Sequence, residues 1–167
     1  MNVNHKLLDA LSSLGKQRKP VERLYARMLD EKLFVAAYGK LYANRGAMTV
    51  GSNPADEIDG MSMERIRHLI DKLVKNEWEW QPTRRLYIDK QDGSQRALSI
   101  PGWSDKLVQE VMRSVLEAYY EPIFRNHSHG FRPKRSCHTA LTEIKRTWAG
   151  VKWFVEIDIK GCFDYAS

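Results

Sequence analysis

Between Ile66 and Tyr119 the apolar period of the chain changes twice, and that change constrains the fold more than any other feature. Ile66, Leu69, Ile70, Leu73 and Val74 fall at the three-and-four spacing of one helix face, and Ser62 stands where it can cap that helix. The period then drops to two. Leu86 and Ile88 alternate with Arg85, Tyr87 and Asp89, Leu98 and Ile100 alternate with Ala97 and Ser99, and Gln91-Asp92-Gly93-Ser94 supplies turn chemistry between them. This pattern predicts a β-hairpin, ended by Pro101 and Gly102. Helical spacing returns with Leu107, Val108, Val111, Met112, Val115, Leu116 and Tyr119, with Ser104 as the expected cap and Pro122 as the limit. A hairpin set between amphipathic helices predicts an α+β fold.

The flanking segments extend this reading. Residues 1–20 are polar and basic, interrupted by Ser12, Ser13 and Gly15, and predict an extension with a short helical start at most. Pro20 suits a first helical turn, and Val21, Leu24, Tyr25, Met28, Leu29, Leu33 and Ala36 predict one long helix to about Tyr42. Glycines, Pro54 and acids from Asn44 to Gly60 read as a loop. A second loop, Asn126 to Arg135, precedes a helix capped by Ser136 with Ala140, Leu141 and Ile144 facing inward. Trp153, Phe154, Val155, Ile157 and Ile159 predict a short apolar strand carrying Glu156 and Asp158.

Composition narrows the setting. The 167 residues are 43% hydrophobic and 29% charged, which is enough apolar material for a core and unlike a low-complexity chain. Two cysteines, Cys137 and Cys162, are too few for a secreted disulfide framework. Together with His127, His129 and His138 they lack the paired spacings of structural zinc. No run of about 18 apolar residues and no signal-type block occurs, so the expected setting is intracellular and soluble, without membrane contact. The formal charge is +6, and nearly all of it sits between Arg125 and Arg146, where six bases face Glu143 alone. By charge alone this window is either a solvated basic face or a surface for a polyanion.

Asp158 stands near the end of the last predicted strand, just before Gly161. By its own chemistry it is either a turn-capping aspartate or a hard oxygen ligand held on a rigid strand for Mg²⁺. Trp153-Phe154-Val155-Glu156-Ile157-Asp158-Ile159-Lys160-Gly161-Cys162-Phe163-Asp164 resembles the first palm motif of reverse transcriptases of the group II intron-encoded, maturase class. Asn44 to Gly51 and Ile58 to Ser62 resemble that family's N-terminal extension block. Arg84 to Lys90 and Arg96 to Pro101 resemble its first fingers motif, and Asp105 to Glu110 the helix after it. Ser128-His129-Gly130-Phe131-Arg132-Pro133-Lys134-Arg135-Ser136-Cys137-His138-Thr139-Ala140-Leu141 is similar to its second motif. The resemblance runs in order from about Glu22 to Asp164.

This resemblance implies the mostly helical fingers of a right-hand polymerase, with a β-hairpin and the first palm strand. It divides the chain into an extension (1–20), a helical N-terminal region (21–82), fingers (83–150) and the start of a palm (151–167). It makes Asp158 the catalytic metal-binding carboxylate, with the carbonyl of Ile159 as a further Mg²⁺ ligand. Lys90 and Arg96 would grip the triphosphate of an incoming dNTP, with Arg84 placed to assist, against the alternative that all three are solvent-facing charges on an exposed hairpin. Phe163 would exclude a ribose 2′-hydroxyl, pack in the core, or both. Phe131, Arg132, Lys134 and Arg135 would contact RNA, against the alternative of a rigid turn. The implied partners are template and intron RNA, a DNA primer and dNTP, in a bacterial cytoplasm or an organelle interior.

The chain departs from the family pattern at Asp89, Ala97 and Ser99, where Pro, Pro and Gly are usual. It closes on Tyr165-Ala166-Ser167 without the Tyr-Ala-Asp-Asp of the second palm motif. Two-metal chemistry needs carboxylates from both motifs, so these residues alone are expected not to polymerise DNA. The alternative function is an RNA-binding module or splicing helper. An unpaired palm strand also predicts self-association.

Overall fold

The computed structural model describes residues 5–159. Among them the regular structure is α1 (His5–Lys16), α2 (Leu24–Met28), α3 (Glu31–Tyr42), α4 (Met63–Val74), the antiparallel strands β1 (Arg84–Asp89) and β2 (Gln95–Ile100), α5 (Trp103–Tyr120) and α6 (Cys137–Thr147). The fold is α+β and rich in helix, as the changes of period predict. No described helix is long and apolar enough to cross a membrane. The chain forms two compact units, the first running to Ile123 and the second starting at Phe124.

In the first unit α5 is the central element. Leu107, Val108, Val111 and Val115 are fully buried, and Leu11, Met28, Leu33, Phe34, Ala37, Ile66, Leu69 and Leu73 close around them from α1 to α4. Glu110, on the same helix, is also buried. Burial would raise its carboxyl pKa, but hydrogen bonds from Arg113 (2.7 Å) and Lys40 (3.1 Å) outweigh that and hold it below the usual range.

Three expectations for this unit are corrected. The extension is not a short helical start, because α1 is twelve residues long and buries Leu11 completely. Leu7, Leu11 and Leu14 lie on one stripe, and Gly15 lets the backbone approach α5 so closely that a Cβ there would run into the Tyr119 carbonyl oxygen. The Tyr119 hydroxyl completes this contact by donating to the Lys19 carbonyl (2.9 Å). The long helix expected from Pro20 to Tyr42 is two helices. Asp30 takes extended backbone and accepts from the Lys32 amide (2.8 Å), so a new helix starts where the apolar spacing alone runs on. Finally, Ser104 does not cap α5. The cap position is Gly102, and Asp56, from the loop before α4, accepts from the Ser104 amide (2.9 Å) and hydroxyl (2.7 Å) and also pairs with Arg65. Gly51 lies against Pro101 and Gly102 at the same point, where a Cβ would come within 2.7 Å of backbone.

Local signals hold elsewhere in the fold. Ser62 caps α4 by accepting from the Arg65 amide (3.1 Å). The hairpin pairs Arg84 with Ile100 and Asp89 with Gln95, and its turn uses Gly93 at φ 78° with Asp92 accepting from the Ser94 amide (2.9 Å). Asp105 accepts from the Gln81 amide (3.1 Å) and so fixes the segment that enters β1.

In the second unit Ser136 and Thr139 form a reciprocal capping box at the start of α6. Two expectations fail here. Leu141 and Ile144 are exposed rather than inward-facing. The strand expected over 153–159 is an irregular stretch, with Trp153 88% and Ile157 84% exposed. A strand exists only through hydrogen bonds to a neighbour, and no described residue supplies them.

Candidate nucleic-acid and nucleotide contacts

Residues paired directly across an antiparallel hairpin share a face. One face therefore carries Arg84, Leu86 and Ile88 opposite Ile100, Leu98 and Arg96. Leu86, Ile88 and Leu98 are 40–52% exposed, so the hairpin presents an open apolar surface with a base at each end. Lys90 continues the alternation just past β1, and its amide donates to the Ser94 carbonyl (2.8 Å). Arg96 pairs with Ile88, two residues from Lys90, so these two cations meet at the turn end of the face. Arg84 sits four residues down the strand from Ile88, roughly 13 Å away. The register thus brings Lys90 and Arg96 together and leaves Arg84 at the base.

At that base sequence reasoning missed a cation. Lys106, in the first turn of α5, donates to the Thr49 carbonyl. Burial, with repulsion from Arg84 adding to it, lowers its ammonium pKa. Asp56 opposes this shift but does not reverse it. Lys106 joins Thr49 across 57 residues, a pairing no local pattern reveals.

In the second unit the loop before α6 is shaped by its own guanidinium. Arg132 donates to the carbonyls of Arg125 (2.8 Å) and Ser128 (2.7 Å) and lies over the Phe124 ring, 5.3 Å from its centroid. Arg132 therefore braces the loop, while Phe131 beside it is fully exposed at φ 55° and Lys134 is exposed at φ 59°. Arg135 is half-buried at the foot of the loop.

A second feature missed from sequence ties this loop to α6. Glu143 accepts from His127 at one carboxylate oxygen and from His129 Nε2 (2.9 Å) at the other. These two hydrogen bonds hold the Glu143 carboxyl below its usual range. His129 Nδ1 lies 2.9 Å from the Thr139 hydroxyl, so both nitrogens of that ring are engaged. The spacing of 14 and 16 residues hides this clamp from any short motif.

Asp158 and Ile159 are exposed on the irregular stretch after α6, and Phe163 lies outside the described residues. Among the described residues no three His, Cys, Asp or Glu side chains group to hold a metal ion.

Residues 88–166 match the reverse transcriptase (RNA-dependent DNA polymerase) family. Over 143 residues, 85% of its length, the chain is 50% identical to the group II intron-encoded protein LtrA of Lactococcus lactis subsp. cremoris. Residues 88–166 thus match part of a reverse transcriptase domain, and the chain is similar to group II intron-encoded proteins. It is also 45% identical over 165 residues to an uncharacterized 91 kDa protein in the cob intron of Schizosaccharomyces pombe. Similarity extends to nuclear intron maturase 2, mitochondrial, of Arabidopsis thaliana, at 30% over 168 residues. These alignments take in 85%, 95% and 92% of this chain but only 24%, 20% and 22% of the respective relatives. The chain thus spans about a quarter or less of the length of these three curated relatives. The reverse transcriptase match begins inside β1 and takes in the basic loop, α6 and the stretch that bears Asp158.

Proposed function

We propose that the protein forms the front part of an RNA-directed DNA polymerase that serves retrohoming and splicing of a group II intron. In this reading residues 1–20 are an extension, 21–82 a helical N-terminal region, 83–150 fingers and 151–167 the opening of a palm. The observation that carries the reading is the hairpin register, which brings Lys90 and Arg96 to one exposed end in a chain half identical to a group II intron-encoded protein. Two cations from paired strands suit a triphosphate, since arginine binds phosphate through a planar fork and lysine as a point charge. Arg84 and Lys106 extend this basic edge toward the base of the hairpin, and Phe163 screens the sugar of the bound nucleotide.

Phe131, Lys134 and Arg135 contact template or intron RNA, with Arg132 holding the loop in shape. The exposed Phe131 ring offers a stacking surface and the bases neutralise phosphates. Asp158 and the Ile159 carbonyl are hard oxygen donors of the kind Mg²⁺ takes, and they would hold such an ion with further ligands. Bound there, Mg²⁺ would neutralise charge on the transferring phosphate. The DNA primer is the remaining partner, and the setting is a bacterial cytoplasm or organelle interior.

In the full-length polymerase, Lys90→Gln and Arg96→Gln are each expected to raise KM for dNTP at least tenfold. This follows from about 1.5–3 kcal/mol for a charge-assisted hydrogen bond. RNA affinity should stay within about twofold, because a base that meets only the nucleotide leaves the RNA phosphate contacts intact. An unchanged KM removes the nucleotide role, and RNA binding without any nucleotide dependence leaves the splicing-helper function. The exposed Trp153, Phe154, Val155 and Ile157 are further expected to drive self-association of the 167-residue chain. A monomer in light scattering over a wide concentration range would refute that.

A further inference from the structure

On the loop-facing side of α6 lies an open pocket of about 290 Å³, walled by Arg135, His138, Thr142, Glu143 and Arg146, with His129 at its edge. His138, Thr142 and Arg146 follow one another at four-residue steps, so they line one stripe of the helix, and Arg135 reaches the pocket from the loop. Neither guanidinium has a carboxylate partner among the described residues. The one acid present, Glu143, has both oxygens occupied by histidines. Its side chain is 18% exposed and that of His129 12%, so this half of the clamp is largely turned away from solvent, while His127, which does not line the pocket, is 80% exposed. What the pocket offers outward is therefore two guanidiniums and the exposed imidazole of His138. With Arg135 and Arg146 against Glu143 alone, the pocket carries a net positive charge from its fixed ions.

We infer that this pocket binds a backbone phosphate of single-stranded RNA, held between Arg135 and Arg146 with His138 as a further donor. The inference rests on the reading of this unit as an RNA contact and adds to it two residues of α6, His138 and Arg146. A phosphate fits because its oxygens accept from planar guanidinium forks approaching from two directions. RNA is the favoured source because Phe131 on the adjoining loop is bare and four further bases, Arg125, Arg132, Lys134 and Lys145, lie in the same short window. Glu143 contributes by fixing His129 and the loop rather than by touching the ligand.

The test uses the 167-residue chain with a labelled single-stranded oligouridine across a range of salt concentrations, and separately with inorganic phosphate, following the histidine ring protons by NMR. Arg146→Gln is expected to weaken oligouridine binding at least threefold and to reduce the salt slope by about one. Lys145→Gln, one residue away but outside the pocket, should change affinity less. Inorganic phosphate should shift the His138 and His129 resonances in the parent chain and not in Arg146→Gln. Equal losses for Lys145→Gln and Arg146→Gln, with no phosphate-dependent shift, would overturn the pocket while leaving the RNA reading intact. Phosphate shifts without oligouridine affinity would overturn RNA as the occupant, and the broader RNA reading with it.

Discussion

Asp158→Asn is expected to cut primer extension by the full-length polymerase by on the order of 10³-fold or more, because metal-assisted charge stabilisation is worth several kcal/mol. The melting temperature and RNA affinity of the variant should equal those of the parent. The clean separation follows from the structure. Asp158 is exposed and makes no hydrogen bond or ion pair among the described residues, so exchanging one carboxylate oxygen for an amide removes no folded-state contact. The change leaves shape intact and deletes the charge that a hard cation requires. Extension retained within tenfold would show that Asp158 is not a metal ligand. A fall in melting temperature would show that the carboxylate has a structural duty instead.

The largest effect on stability is expected at Gly15. A methyl group there collides with the Tyr119 carbonyl, which belongs to the backbone of α5 and cannot rotate away as a side chain would. Helix α1 must then lift, exposing Leu11 and loosening Leu7, Leu8 and the Tyr119–Lys19 hydrogen bond. Losing burial on that scale costs roughly 2–5 kcal/mol, and the melting temperature should fall by about 10 °C. Gly39 is the matched control. It is also helical, but a Cβ there meets nothing within 4 Å, so Gly39→Ala should stabilise by about 0.5–1 kcal/mol. Equal effects at the two positions in thermal unfolding would mean that the close approach of α1 and α5 is unimportant.

What could be read from the sequence was local. The hairpin, its turn, and the caps at Ser62 and Ser136 are each written within a few residues, and the structure has all of them. The break at Asp30 was missed because the apolar spacing runs through it, while the cap depends on backbone that only the folded chain fixes. The helix at the N-terminus was missed because Ser12, Ser13 and Gly15 read as interruptions, whereas Gly15 is what allows α1 to dock. The stretch over 153–159 has strand composition, but composition does not provide a hydrogen-bonding neighbour. At the candidate sites Arg84, Lys90, Arg96 and the loop cations were visible, but Lys106 and the division among the cations were not. The register groups Lys90 with Arg96 apart from Arg84, and Arg132 turns inward to brace a loop where an outward contact was expected.

The remote cap on α5 also bears on how the first unit assembles. A helix normally settles its first turn with a neighbouring side chain, but the amide and hydroxyl of Ser104 wait for a carboxylate 48 residues earlier in the chain. The start of α5 is therefore finished only when the loop after α3 closes onto it. Since β2 ends at Ile100, immediately before this point, the hairpin inherits the same dependence. The start of the central helix and the docking of the loop are thereby coupled, and the basic hairpin hangs from the joint they form.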